Sequence, residues 1–263
     1  MITSTQNPRI KHLLLLQQKS SQRKADGLFV VEGRREVEHC LRAGYTVRTI
    51  FICEGFSPGR WQGFGIEMID VSPHIYERIA YRGGTEGIVA IVEAHRMELP
   101  DLQLSASPLI VVLESVEKPG NLGAVLRSAD AARADAVIVC DPLTDLYNPN
   151  LIRSSVGAIF TVPCVACSTE ACIAFFKEKG IRILTAQLQD SRLYYDTPMT
   201  GPTAIVMGTE ATGLTDPWRK AADAHIRIPM LGRLDSLNVS VSAAILLFEA
   251  VRQRQEENRK SRN

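Results

Sequence analysis

Three short loops in the second half of the chain carry the residues best suited to binding a ligand. The first runs from Lys118 to Gly123, and Arg127 follows it on a predicted helix. The second is Gly208-Thr209-Glu210-Ala211-Thr212-Gly213, and the third spans 229–240. Glycine lets backbone approach a ligand closely, and a carboxylate accepts hydrogen bonds from an amine or a hydroxyl. Free backbone N–H groups at the start of a helix attract anionic groups.

Each loop also has a purely structural interpretation. Asn121 is suited to capping a helix that begins at Leu122, with Arg127 solvated on the face opposite the apolar stripe. The second loop is equally compatible with a glycine turn, and Ser236 and Asn238 in the third with caps of the final helix. The composition of a single loop leaves both interpretations open.

Two familiar nucleotide-binding signatures fail at a residue that their chemistry needs. Gly208-x4-Gly213 resembles the start of a P-loop, but Leu214-Thr215 follows where a phosphate-binding lysine is required. Gly120-x-x-Gly123 imitates a dinucleotide fingerprint, but Leu122 stands where backbone must approach the pyrophosphate. A dinucleotide-dependent enzyme is therefore the least favoured of the classes considered.

Apolar strands that alternate with helices must position these loops. We predict strands at 109–113, 136–140, 162–165, 181–186, 203–207 and 225–229, and helices at 122–132, 170–179 and 239–252. This alternation predicts an α/β domain with a mostly parallel sheet, in which ligands bind beyond the carboxyl ends of strands. The final helix is apolar nearly all round until Phe248, which predicts burial in a core or against a partner subunit. The charged end, 252–263, is predicted to fray.

The first part of the chain predicts a separate, small α/β domain. Asn7-Pro8 is typical of a helix start, 20–27 is polar and predicts a turn, and 55–65 and 81–85 predict a loop and a turn. We predict an N-terminal domain over 1–97, a linker over 98–107 and a second domain over 108–263. The whole chain carries a formal net charge of only +1, but its first 60 residues hold ten basic and five acidic side chains. Such a segment is either a phosphate-attracting face or an ordinary solvated surface.

The six cysteines predict thiols in a reducing compartment. Cys164-x-x-Cys167 has metal or redox spacing, but it lacks a second pair or nearby histidines, so we predict no metal site. The polar first residues do not resemble a signal peptide, and no apolar run approaches the roughly 20 residues that span a bilayer. We therefore expect a soluble cytoplasmic protein that does not associate with membranes.

Taken in order, the three loops resemble motifs 1, 2 and 3 of the SpoU (TrmH-type) RNA ribose 2′-O-methyltransferases, a family of the SPOUT superfamily. The matching residues are Asn121 and Arg127 in motif 1, Gly208, Glu210 and Gly213 in motif 2, and Ile228-Pro229-Met230 with 236–240 in motif 3. Lys118 departs from the family pattern, which often has an acidic residue before the motif 1 proline. The N-terminal region resembles, more loosely, the substrate-binding domain often attached to this family, which is similar to a ribosomal protein that binds kinked RNA. Asn7-Pro8 and the segments 29–33 and 87–93 carry that likeness.

The resemblance implies a fold and a cofactor that periodicity does not show. The C-terminal sheet should be threaded through a deep trefoil knot, a topology that is otherwise nearly absent from proteins. S-adenosyl-L-methionine should lie bent within the knot, held around Gly208, Ile228 and Leu237, with Met230 and Asn238 beside it. The enzyme should be a homodimer formed through the C-terminal domain.

The resemblance also implies which side chains act. Arg127 is expected to anchor a substrate phosphate and stabilise the developing oxyanion, because a guanidinium stays protonated in nearly any protein site. Asn121 and Glu210 would position Arg127 and the nucleotide, while Ser236 and Asn238 would shape the cofactor and ribose pocket. We expect large-subunit rRNA as the first choice of substrate and tRNA as the second. A non-catalytic RNA-binding protein that retains the fold is the alternative from another class.

Overall fold

The computed structural model describes residues 1–53, 55, 65–80, 86–209 and 212–261. The contacts of the chain group it into two compact units, Met1–Arg96 with Asp145–Thr161, and Met97–Thr144 with Val162–Asn263. The predicted turn at 81–85 and nearly all of the predicted loop at 55–65 lie outside the described residues, as does Glu210. No helix within the described ranges is long and apolar enough to cross a lipid bilayer.

Helices and strands alternate along most of the described chain. The α-helices are α1 Pro8–Gln18, α2 Ser20–Asp26, α3 Arg34–Arg42, α4 Pro73–Ile79, α5 Pro119–Ala131, α6 Pro149–Ser155, α7 Ala158–Thr161, α8 Thr169–Lys179, α9 Asp216–Ala221 and α10 Val239–Lys260. The strands are β1 Leu28–Glu32, β2 Val47–Cys53, β3 Glu67–Val71, β4 Ile88–Glu93, β5 Leu109–Glu114, β6 Ala136–Cys140, β7 Cys164–Cys167, β8 Arg182–Ala186, β9 Arg192–Leu193, β10 Thr203–Met207 and β11 Ala224–Arg227.

The first unit is built on a mixed four-stranded sheet in the order β1-β4-β2-β3. Strand β4 pairs antiparallel with both β1 and β2, whereas β3 pairs parallel with β2. Helix α1 begins as predicted, because the Asn7 side chain accepts a hydrogen bond from the Arg9 amide and Pro8 occupies the first helical position. Its apolar face, formed by Ile10, Leu13 and Leu16, is fully buried in the core of this unit.

The predicted turn at 20–27 is wrong, because this polar segment forms helix α2. The helix ends at Gly27, whose backbone lies in the left-handed region. The reason is tertiary. The guanidinium of Arg23 is buried, donates to the Leu16 carbonyl and pairs with the carboxylate of Asp145. A buried cation with these partners holds the segment in place, although its composition is that of a turn.

The segment 145–161, which includes α6 and α7, clusters with the first unit. Within that unit Tyr147 stacks on Phe29 with ring centroids 4.2 Å apart, and Phe160 lies 6.2 Å from the same ring. The Tyr147 hydroxyl also donates to the carbonyl of His95 at 2.6 Å. These contacts join two stretches of sequence that are far apart in the chain. A domain boundary placed at a single position in the sequence cannot describe a unit of this kind. The division into 1–97, 98–107 and 108–263 stays a prediction.

The second unit is built on a seven-stranded sheet in the order β7-β6-β5-β10-β8-β11-β9. Each hydrogen-bonded pair among these strands is parallel, which confirms the predicted mostly parallel α/β fold. The strands β5, β6 and β10 are buried along their whole length, which explains their continuous apolar sequences. The carboxyl ends of β5, β10, β8 and β11 are neighbours, so the loops that follow them meet at one edge.

Two helix boundaries in this unit differ from the prediction. Helix α5 begins at Pro119 rather than at Leu122, so Asn121 lies inside the first turn and is not the cap. Proline favours this earlier start, because its backbone angle suits the first helical position. Helix α10 continues to Lys260, so the predicted fraying after Arg252 is wrong over most of that segment. The Arg252 side chain supports the extension with hydrogen bonds to Glu249 and Glu256.

Candidate active site

A cavity of about 380 Å³ opens within the second unit at the carboxyl ends of β8, β10 and β11. Its walls include residues from each of the loops that follow these strands. The predicted site residues that line it are Gly208, Ile228, Met230, Ser236 and Leu237. The convergence of these five side chains and backbone positions follows from the strand order, because the three strands are adjacent in the sheet.

The glycine loop after β10 is closely packed and has no room for a side chain at its start. A Cβ atom built on Gly208 would lie 2.2 Å from the carbonyl carbon and oxygen of Gly213. The turn is closed by a hydrogen bond from the Gly213 amide to the Thr209 carbonyl at 3.0 Å. Gly213 itself has a φ of +68°, in the left-handed region that favours glycine. The loop therefore presents backbone to the cavity, while Glu210 at its tip lies outside the described residues.

Asn238 joins motif 3 to motif 1. Its side-chain oxygen accepts from the Ser240 amide at 3.0 Å and caps α10, as the structural interpretation predicts. Its side-chain nitrogen donates to the side-chain oxygen of Asn121 at 3.2 Å. The two interpretations of Asn238 are thus compatible, because the cap fixes the amide in the orientation that reaches Asn121.

Arg127 lies further along α5 on the exposed surface. Six residues separate it from Asn121, which corresponds to a rise of about 9 Å along the helix. Among the described residues that line the cavity, neither Arg127 nor Asn121 is present. The exposed Arg127 side chain makes no hydrogen bond or ion pair with the part of the chain that the structure describes, so its guanidinium is accessible to an external anion.

Gln187 is a cavity residue that the sequence interpretation missed. Its side-chain nitrogen donates to the Gln189 carbonyl at 3.0 Å, whereas its side-chain oxygen is buried with no hydrogen-bond partner among the described residues. Leaving such an acceptor unsatisfied costs about 1–3 kcal/mol, so it is suited to a ligand that donates a hydrogen bond. The signal was present, because Gln187 directly follows β8 at the same sheet edge as the other loops.

Glu114 is a second residue that the sequence interpretation missed. It ends β5, is almost completely buried, and accepts hydrogen bonds from the Thr215 amide at 2.9 Å and from the Thr215 hydroxyl. The Thr169 hydroxyl oxygen also lies 3.3 Å from this carboxylate, but it donates its one proton to Asp141 at 2.7 Å. Glu114 therefore fixes the chain just after the glycine loop through Thr215.

Charged side chains complete the cavity wall. Arg219, Arg227 and Asp235 line it together with the mainly apolar and glycine positions. The guanidinium of Arg227 is held by the carbonyl of Ser191. A wall with charges of both signs suits a ligand that itself carries an amino and a carboxylate group.

Comparison with known families identifies the C-terminal region. The sequence profile of the SpoU rRNA Methylase family matches residues 108–248, which is more than half of the 263 residues. The chain belongs to the SpoU rRNA methylase family. In this SpoU protein a second profile, the MRM3-like substrate binding domain, matches residues 7–90. The predicted family and its attached substrate-binding domain are both confirmed.

The SpoU protein is similar along nearly its whole length to known methyltransferases. It is 27% identical over 247 residues to the 23S rRNA (guanosine(2553)-2′-O)-methyltransferase RlmP of Bacillus subtilis (strain 168), covering 94% of this chain and 97% of the relative. A crystal structure of an RNA 2′-O ribose methyltransferase superposes with a TM-score of 0.84 at 39% identity, covering 97% of this chain and 99% of the other. The SpoU methyltransferase AviRb from Streptomyces viridochromogenes, in complex with the cofactor AdoMet, superposes with a TM-score of 0.88 at 28% identity, covering 95% and 100%.

Proposed function

We propose that this SpoU protein is an S-adenosyl-L-methionine-dependent methyltransferase that modifies a ribose 2′-hydroxyl in large-subunit rRNA. The observation that carries the proposal is the cavity at the ends of β8, β10 and β11, lined by loops of motifs 2 and 3 in a chain of this family. The choice of rRNA rests on the name of the relative from Bacillus subtilis and on the match to a substrate-binding domain.

The residues around the cavity fit the proposed cofactor. The cradle at Gly208 admits backbone contact only, and the orphaned side-chain oxygen of Gln187 suits an amino group of the ligand. Backbone around Ile228 and Leu237, with Met230 beside it, would hold the rest of the cofactor. When bound, S-adenosyl-L-methionine would supply an electrophilic methyl group to the ribose oxygen, with S-adenosylhomocysteine as the leaving group.

The side chains of motif 1 act on the RNA in this proposal. A ribose hydroxyl is a poor nucleophile until it loses its proton, and guanidinium groups in proteins donate hydrogen bonds and do not act as bases. Arg127 therefore binds a substrate phosphate and stabilises the developing oxyanion, and the phosphate or a water accepts the proton. Asn121, oriented by Asn238, positions the nucleotide, Glu210 keeps its predicted role of positioning Arg127 and the nucleotide, and Ser236 lines the cavity.

A homodimer is part of the proposal. Val241 and Phe248 of α10 are 47% and 48% exposed in the single chain. Seven residues separate them, which places both on one face of the helix. The rest of the apolar surface of α10 packs within its own unit, where Ala243, Leu246 and Leu247 are fully buried. We propose that a second copy covers the exposed face. The trefoil knot and the cytoplasmic location remain predictions.

Mapping 2′-O-methyl groups in RNA from cells with and without the protein tests the reaction and the substrate together. We expect one methylated position of large-subunit rRNA to be lost and to return when the protein is supplied again. Loss of a 2′-O-methyl group from tRNA instead would identify tRNA, the second choice, as the substrate. No lost position, together with calorimetry that detects no binding of S-adenosyl-L-methionine, would identify a non-catalytic RNA-binding protein.

A further inference from the structure

Three cysteines from separate elements meet inside the second unit. Cys140 is the last residue of β6, Cys167 is the last residue of β7, and Cys172 lies near the start of α8. Their three sulfur atoms all lie within 4.8 Å of one another, and those of Cys140 and Cys167 are 4.0 Å apart. No residue of this trio lines the cavity described above.

The backbone holds the trio in place. Cys140 and Cys167 are paired across the parallel strands β6 and β7, so the sheet register sets their separation. Cys172 is positioned by α8, whose first residue Thr169 donates its hydroxyl and amide to the Asp141 carboxylate at 2.7 and 3.2 Å. Cys140 and Cys172 are completely buried, and Cys167 is partly exposed. The cluster is therefore a fixed, nearly closed pocket of sulfur with one side open to solvent.

The spacing matches a metal ion bound by three sulfurs. Zinc–sulfur bonds of about 2.3 Å in a tetrahedral arrangement place the sulfur atoms about 3.8 Å apart. The sulfurs of Cys140 and Cys167, 4.0 Å apart, are close to that spacing, and the other pairs, within 4.8 Å, must contract by less than about 1 Å. Thiolate ligands select soft or borderline cations such as Zn²⁺ over hard ones such as Mg²⁺.

We propose that Cys140, Cys167 and Cys172 form a binding site for one thiophilic divalent cation of the Zn²⁺ class, with water as the fourth ligand on the exposed side of Cys167. Binding forms three metal–sulfur bonds and releases the proton of each coordinating thiol to solvent, with no change of oxidation state. The ion would tie β6, β7 and α8 together and so stabilise the second unit. The site is independent of the proposed methyl transfer.

The test is a metal titration of the reduced full-length protein after removal of bound metal by a chelator. Zn²⁺ is added against a chromophoric competitor, and Co²⁺ is used in parallel as a spectroscopic probe. We expect one ion per chain, a sulfur-to-cobalt charge-transfer band, a higher Tm with Zn²⁺, and affinity that falls as the pH is lowered. Cys167→Ser should lose the band and at least tenfold in affinity.

Cys164→Ser is the matched control, because Cys164 lies on the same strand but outside the trio. It should keep both the band and the affinity. If Cys167→Ser fails to fold, alkylation of the native protein replaces it, and Zn²⁺ should protect Cys167, the partly exposed member of the trio, while the labelling of Cys164 stays unchanged. The proposal is overturned by the absence of stoichiometric binding, by equal loss in Cys164→Ser, or by recovery of a native Cys140–Cys167 disulfide.

Discussion

At the scale of single residues, the candidate site depends on atoms that are unusually constrained or unusually free. Gly208 has no space for a Cβ atom, and the side-chain oxygen of Gln187 is buried without a partner among the described residues. Arg127 is exposed on α5. The first two features suit a bound small molecule, and the third suits a large anionic substrate.

Gly208→Ala should weaken binding of S-adenosyl-L-methionine at least tenfold. The new methyl group would lie 2.2 Å from the backbone of Gly213, so the glycine loop must move away from the cavity. Isothermal calorimetry measures the change. Gly201→Ala is the control, since a Cβ atom there meets nothing within 4 Å, and it should bind as the unaltered chain does. Equal affinity in both variants would show that the loop does not hold the cofactor.

Arg127→Ala should reduce kcat by a factor of about 10²–10³ while cofactor binding is retained, because an electrostatic stabiliser of the reacting oxygen is removed. Arg127→Lys should recover only part of the rate, since an ammonium cannot replace a bidentate guanidinium. Single-turnover methylation of rRNA measures the rate. Lys177→Ala removes an exposed cation from a different helix and should leave kcat unchanged. Near-full turnover of Arg127→Ala would contradict the assignment.

At the scale of elements, the cap of α10 positions part of the site within the second unit, and one buried ion pair stabilises the first unit. The amide of Asn238 caps α10 with its oxygen and reaches Asn121 on α5 with its nitrogen. The guanidinium of Arg23 connects α1, α2 and the segment that begins at Asp145 within the first unit. Each feature has a distinct expected response to substitution.

Asn238→Asp and Asn238→Ala should separate the two roles of the amide. The aspartate retains a capping oxygen but loses the donor to Asn121, so Tm should be preserved while kcat falls. The alanine loses both, and stability should fall by about 1 kcal/mol as well. Thermal unfolding and methylation assays provide the two measurements. A fall of kcat that simply follows Tm in both variants would argue against a positioning role.

Arg23→Ala should destabilise the first unit by about 3–5 kcal/mol, because it leaves the largely buried carboxylate of Asp145 without its partner. Arg48→Ala is the matched control, since its ion pair with Glu93 is largely exposed and should contribute less than about 1 kcal/mol. Urea unfolding followed by circular dichroism measures both. Similar small losses would mean that α2 does not depend on the buried pair.

At the scale of the whole molecule, the exposed face of α10 predicts self-association. Val241 and Phe248 are half exposed on a helix whose opposite side is fully buried. A charge placed on that face should prevent a second copy from covering it, because an interface core excludes unpaired charge.

Phe248→Glu should therefore convert a dimer into a monomer in sedimentation experiments, with the far-ultraviolet circular dichroism spectrum retained. Glu257→Lys changes the charge at an exposed position half a turn round the same helix from Phe248, and it should leave the dimer intact. Monomers at all concentrations for the unaltered chain would refute the proposed homodimer.

The sequence by itself determined most of the local structure and the family. Continuous apolar runs identified the buried parallel strands, and Asn7 and Asn238 were identified as suitable caps, because caps and periodicity depend on residues within a few positions of one another. The ordered residues of the three loops identified the family for the same reason, since each motif is short and continuous.

Only the tertiary structure decided which distant residues meet. It assigned Asp145–Thr161 to the first unit, turned the polar segment around Arg23 into a helix, and placed Gln187 in the cavity. It also showed that Cys167 lies beside Cys140 and Cys172, although the sequence spacing had drawn attention to Cys164 and Cys167. Strand order, which periodicity does not encode, brings Cys140 beside Cys167. Contacts between residues far apart in the chain depend on sheet order and packing, and the loops of motifs 2 and 3 line one cavity only because β10, β8 and β11 lie side by side.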